Sequence, residues 1–97
     1  MTQEHRMLEK AYADHIGDHY RRASEELLHA YQRNKEAARH HEAGAFKAAL
    51  HHAKLSKHHS FNAHDHLKEV LSISEKMDDL ALPLPGQSAS TVGPLVQ

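Results

Sequence analysis

Every proline of this 97-residue chain falls within its last fifteen positions, at Pro83, Pro85 and Pro94. Proline inside a helix removes a backbone hydrogen bond and clashes with the preceding turn, so its absence from residues 1–82 leaves room for long helices. From residue 2 to residue 42 the only glycine is Gly17, and Ala, Leu, Glu, Lys, Arg and Gln dominate, all good helix formers. That stretch predicts one long helix, weakened near Gly17. Ala43-Gly44-Ala45 is the natural stop, because glycine readily takes the left-handed conformation that ends helices. A second helix is expected over 45–80. Leu82-Pro83-Leu84-Pro85-Gly86 then ends helical structure, and residues 81–97 carry no charged side chain. The expected organisation is a helical hairpin over 1–80, with helix 2–42, turn 43–45 and helix 45–80, followed by a flexible, disordered tail over 81–97.

Periodicity supports an antiparallel pair. At about 100° per residue, Leu8, Tyr12, Ile16, Ala23, Leu27, Ala30, Ala37 and Ala38 share one stripe of the first helix, opposite Asp14, Asp18, Arg21, Glu25, Gln32 and Arg39. The second helix has a wider apolar arc through Ala49, Ala53, Ala63, Leu67, Val70, Leu71 and Met77, flanked by Leu55 and Ile73 on one side and Phe46, Leu50 and Phe61 on the other. A single partner helix cannot cover so wide an arc. The chain is 39% hydrophobic, with two Phe, three Tyr and no Trp, so a lone hairpin would have a thin core. The expected fold class is therefore all-α, a two-helix antiparallel hairpin dimerising into a four-helix bundle.

Chemistry enters through histidine, twelve residues against no cysteine. Imidazole is the commonest metal ligand and titrates nearest physiological pH, so metal binding and proton sensing are both open. The lack of cysteine excludes disulfides, thiolate metal sites and thiol catalysis. His5, His19 and His41 fall in the apolar stripe of the first helix, and His52, His59 and His66 recur every seven residues on the apolar side of the second. A histidine turned toward a packed interface must be neutral and hydrogen-bonded, or coordinated. The doublets His40-His41, His51-His52 and His58-His59 each point one ring inward and one outward, which makes His40, His51 and His58 the outward members. His64, near Phe61 and Lys57, is expected to pack.

The best local spacing is His15-x-x-Asp18-His19, two imidazoles one turn apart beside a carboxylate. With the turn at Gly44, Glu69 lies level with His19, and His66 is about a turn away. The candidate metal ligands are thus His15, Asp18, His19, His66 and Glu69. The same register sets His29 level with His59 and Glu36 level with His52, a weaker pairing because His29 lies toward the polar flank. Imidazole and carboxylate without thiolate suit Zn(II), Ni(II), Cu(II) or iron better than Cu(I). Di-iron chemistry is disfavoured, since Glu26-Leu27-Leu28-His29 is the lone Glu-x-x-His and both residues lie toward the polar flank.

Other functions find little support. There is no glycine-rich phosphate loop and no nucleophile elbow, so no enzyme is expected. Twelve Lys and Arg against thirteen Asp and Glu give a net charge of −1, leaving no basic excess for nucleic acid at neutral pH, although full protonation of the histidines would make the chain strongly cationic. The start, Met1-Thr2-Gln3-Glu4-His5-Arg6, has no apolar run behind its charge, and a cytoplasmic protein without a membrane span is expected.

Ala37-Ala38-Arg39-His40-His41-Glu42-Ala43-Gly44 and Ala48-Ala49-Leu50-His51-His52-Ala53 resemble small, His-rich helical-hairpin proteins of bacteria that have no assigned function. Gly44, Phe46 and Ala49 look like the turn and second helix of a tetratricopeptide repeat, but no repeat of that period is present. Thr91-Val92-Gly93-Pro94-Leu95 is similar to the terminal peptide that docks cargo into bacterial encapsulin shells, with Pro94 where that motif has a small residue. That likeness implies a protein partner for the tail. Two functions follow from the sequence: a buffer or sensor binding a divalent transition metal through interfacial histidines, or a self-associating interaction or scaffold module with pH-sensitive histidine packing.

Overall fold

The computed structural model describes residues 3–82, apart from the side chain of His5, and within them the chain is all-helical. Helix α1 runs Gln3–Glu42 and helix α2 runs Phe46–Asp79. The α1 helix continues through Gly17, where nothing lies within 4 Å of the space a Cβ would fill. The tail sequences with their prolines, and the expectation of a disordered segment and docking peptide there, lie outside the described residues, as does the expected inward placement of His5.

Both helices end in the same local device. At the end of α1, Gly44 takes φ +81°, and the amides of Ala45 and Gly44 donate back to the carbonyls of His40 and His41 at 2.8 and 3.0 Å. These crossed bonds satisfy carbonyls that the helix end would otherwise orphan. At the end of α2, Ala81 takes φ 57°, while Leu82 donates to Met77 at 2.8 Å and Ala81 to Asp78 at 3.0 Å. Leu82 returns onto Met77 and is 5% exposed. Ala81 and Leu82, expected as the first residues of the tail, instead finish the helix and seal the core. The start of α2 has no such help: Ala45 supplies no side-chain cap.

The two helices pack along a seam that follows a heptad. Buried residues recur every seven positions, Ile16, Ala23 and Ala30 on α1 and Ala63, Val70 and Met77 on α2, with Ala49 two heptads before Ala63. Three positions further along the heptads come Tyr12, His19, Glu26 and His40 on α1, and His52, His59, His66 and Ile73 on α2, all half-buried, with the exposed Arg33 at the same position between Glu26 and His40. The seam thus has an apolar edge and a polar edge. Its apolar mass gathers at the open end, where Ile16, Val70, Met77 and Leu82 pack with Tyr12 and Ile73. Toward the turn only alanines fill the buried positions. Their small side chains bring the backbones close enough for Ser56 Oγ to donate to the Ala30 carbonyl at 2.9 Å across the hairpin.

The hairpin leaves large apolar side chains uncovered, among them Phe46, Leu50 and Leu71 at 58, 63 and 64% exposure. Among the described residues no helix is long and apolar enough to cross a membrane.

Candidate metal centre

The polar edge of the seam is a ladder of paired imidazoles, one from each helix. Nearest the turn, the His40 and His52 rings stack in parallel, centroids 5.1 Å apart at an interplanar angle of 4°. Next, His29 and His59 lie with centroids 5.1 Å apart. Toward the open end, His19 Nδ1 and His66 Nδ1 share a hydrogen bond of 2.9 Å.

The first rung carries the most suitable set of donors. Glu36 and His40, one turn apart on α1, face His52 of α2, and one donor atom from each of the three lies within 4.8 Å of the others. Ligands around a tetrahedral Zn(II) with bonds near 2.0–2.1 Å stand roughly 3.3 Å apart. Among the described residues this is the group of three His or acidic residues with metal-binding spacing.

The electrostatics of this rung favour lone pairs. Burial is the main influence holding His52 below the usual imidazole range, reinforced by the positive charges of His40, Arg33 and His51 and opposed by Glu36. A neutral His52 is a competent ligand. Its Nδ1 is buried and has no hydrogen-bond partner, an uncommon and costly state for an imidazole nitrogen. Glu36 is kept ionised, its carboxyl lowered chiefly by the hydrogen bond from Arg39 and secondarily by the charges of Arg39, His40 and His52, against a desolvation that raises it. Arg39 Nη2 lies 2.5 Å from Glu36 Oε1 and 3.5 Å from His40 Nε2, so its guanidinium occupies part of the space a cation would use. The Arg39 side chain is 65% exposed, so a metal ion would compete with a solvent-accessible ion pair.

The residues expected to bind metal are distributed differently. His19 and His66 meet, although in a hydrogen bond to each other. Asp18 turns to Arg21 and Arg22, at 2.5 and 3.0 Å. His15 is exposed beside Ala11, Asp14 and Asp18 in a shallow surface depression, and Glu69 is exposed. His51 and His58 are exposed while His52 and His59 are half-buried, as their doublets suggested. The third doublet is reversed: His40 is half-buried and His41 is exposed, its ring 5.0 Å from that of Phe46.

This reversal has a geometric origin. A straight helix drifts about 20° per heptad against a seam of seven-residue period. Between Tyr12 and His40 lie four heptads, so a stripe drawn at fixed angle is off by roughly 80° near the turn, almost one residue. Counting in sevens from Tyr12 leads through His19 and Glu26 to His40. That signal was present in the sequence and identifies the residue that fixed-angle projection turned outward.

The second rung also holds a carboxylate. His59 Nδ1 lies 2.8 Å from Glu26 Oε1, which accepts a further bond from Asn62 Nδ2 at 3.0 Å. The hydrogen bonds from His59 and Asn62 outweigh desolvation and, with lesser help from the charges of His59 and His29, hold the Glu26 carboxyl below its usual range. Glu26, expected near the polar flank, therefore reaches across the seam.

No protein-family model, curated protein or solved structure matches the chain.

Proposed function

We propose that this protein binds a divalent transition metal ion, Zn(II), Ni(II) or Cu(II), through Glu36, His40 and His52. The single observation that carries this function is the convergence of those three donors from both helices within 4.8 Å. The unpartnered Nδ1 of His52 supports it, because an imidazole needing a partner is ready to coordinate after a ring rotation. Three protein donors leave a fourth position for water or an exchanging ligand, which suits a buffer or sensor more than a closed structural site. Calorimetric titration of the tag-free protein tests it. Binding in the micromolar range or tighter is expected, weakened at least tenfold in His40→Ala/His52→Ala and unchanged in His15→Ala. Equal binding by the wild type and His40→Ala/His52→Ala contradicts it.

The hairpin is further proposed to pair with a second copy. Tyr20, Leu27 and Tyr31 of α1 and Phe46, Leu50, Leu67 and Leu71 of α2 flank the buried positions on the side away from the paired histidines, with His41 beside Phe46, and all are exposed in the single hairpin. At roughly 100 Å² of uncovered surface each, they approach the about 800 Å² per partner typical of a stable interface. A second hairpin laid on this face makes a four-helix bundle and leaves the histidine ladder accessible.

A second function, a pH-responsive interaction module, is favoured by the His19–His66 contact. One Nδ1 must donate and the other accept. Protonation of both rings turns both nitrogens into donors and breaks the bond. Sedimentation velocity between pH 7 and 5 tests this, with loosening or dissociation expected and an unchanged profile contradicting it.

A further inference from the structure

The second rung repeats the composition of the first: a glutamate and a histidine one turn apart on α1, facing a histidine of α2. We propose that Glu26, His29 and His59 form a second divalent-metal site, about 15 Å along the seam from Glu36, His40 and His52, and this inference rests on the metal-binding function proposed above.

Two of its donors are already in place. His59 Nδ1 and Glu26 Oε1 are 2.8 Å apart, slightly closer than two ligands of one tetrahedral ion, and a shared proton holds them. A metal ion takes the place of that proton. The neutral ring then carries its proton on Nε2 in place of Nδ1, so coordination requires a change of tautomer and no net loss of a proton from the imidazole. His29 supplies the third donor. It stands three residues after Glu26 on the same helix, where side chains are neighbours, and its ring centroid is 5.1 Å from that of His59. Its exposure leaves it free to rotate toward the ion.

The surroundings suit a cation. The Glu26 carboxylate remains ionised and brings negative charge. Asn62 Nδ2 donates to Glu26 Oε1 at 3.0 Å, fixing the carboxylate from outside the donor set as partners of metal ligands commonly do. The first rung has Arg39 on its glutamate; here the contacts of Glu26 are the uncharged Asn62 and the titratable His59, so no guanidinium must leave.

Zinc stoichiometry of the full chain, measured by native mass spectrometry and by the visible absorption of cobalt substituted for zinc, tests the second site. Two equivalents per chain are expected for the wild type and one for His29→Ala/His59→Ala. One is also expected for His40→Ala/His52→Ala and none for the fourfold variant. Glu26→Gln, which keeps the shape of the carboxylate and discards its charge, is expected to lose the same equivalent as His29→Ala/His59→Ala, with helicity by circular dichroism unchanged. A wild type binding one equivalent that survives His29→Ala/His59→Ala overturns the second site and leaves the first intact. A second equivalent that persists in His29→Ala/His59→Ala overturns it too, and assigns that ion to surface histidines such as His51 and His58. No bound metal in any variant overturns both sites together.

Discussion

His52 sits where a coiled seam would normally carry an aliphatic side chain, and it bears a buried nitrogen without a partner. Replacing it with leucine removes that unmet need while filling the seam. His52→Leu is therefore expected to raise the thermal midpoint of the metal-free protein by a few degrees, measured by calorimetric melting, while abolishing metal binding at the first rung; a lowered midpoint contradicts the cost assigned to the ring. Acid acts in one direction. Because the His52 pKa is lower folded than unfolded, the unfolded chain binds the extra proton first, and stability falls as pH drops below about 6.5. The lowered carboxyls of Glu26 and Glu36 stabilise the hairpin above their unfolded value of 4.5, and that contribution is lost as pH falls through their folded values. Urea midpoints between pH 7.5 and 4 should decline in two steps, the first below about 6.5 and the second below 4.5, and a midpoint that rises on acidification contradicts these shifts. Arg39 is the remaining control at this scale. Arg39→Ala frees Glu36 and removes a positive charge, so metal affinity at the first rung should increase several-fold.

At the scale of the helix, the ends carry opposite chemistry in the same geometry. Gly44 and Ala81 both hold a left-handed conformation, at φ +81° and 57°. For alanine that conformation costs about 1–2 kcal/mol. Gly44→Ala should destabilise the hairpin by about 1 kcal/mol and Ala81→Gly should stabilise it by a similar amount, both read from urea unfolding. Equal effects of the same sign would contradict the assignment of the two ends. The sequence announced the first of these ends and hid the second. Gly44 is a recognised stop, whereas Ala81 carries no such mark, and Leu82 looked like tail because the prolines after it dominate the local composition. Helix existence followed from the distribution of proline and glycine. Which histidine of each doublet faces the seam followed correctly for His52 and His59. It failed at His40, because angular drift accumulates along a 40-residue helix. The cross-hairpin partners were partly visible too: His29 with His59 and Glu36 with His52 came from counting outward from Gly44. What counting could not supply is side-chain direction, which sends Asp18 to Arg21 and Arg22 and brings Glu26 to His59.

The whole molecule is two-sided. One edge of the seam gathers half-buried histidines and glutamates, and the other leads through buried alanines to the exposed Leu, Phe and Tyr side chains. In the proposed bundle, burial of that apolar flank by a second copy would supply what a hairpin with so few large core residues lacks. Leu50→Glu/Leu71→Glu introduces two charges into the proposed interface, and sedimentation equilibrium should shift from dimer to monomer with loss of helicity on dilution. A wild type that is monomeric at high concentration contradicts the bundle. The histidine edge is independent of that outcome, because its donors come from the two helices of one chain.

Nitrogen-15 chemical shifts of the imidazole rings, followed by long-range proton–nitrogen correlation as Zn(II) is added, test the central claim most directly. One ring nitrogen each of His40 and His52 should move from its free position to that of a coordinated nitrogen by the second equivalent, with the His15 ring nitrogens unmoved. Zinc uptake that leaves His40 and His52 unchanged and shifts His15 and His19 in their place would contradict it.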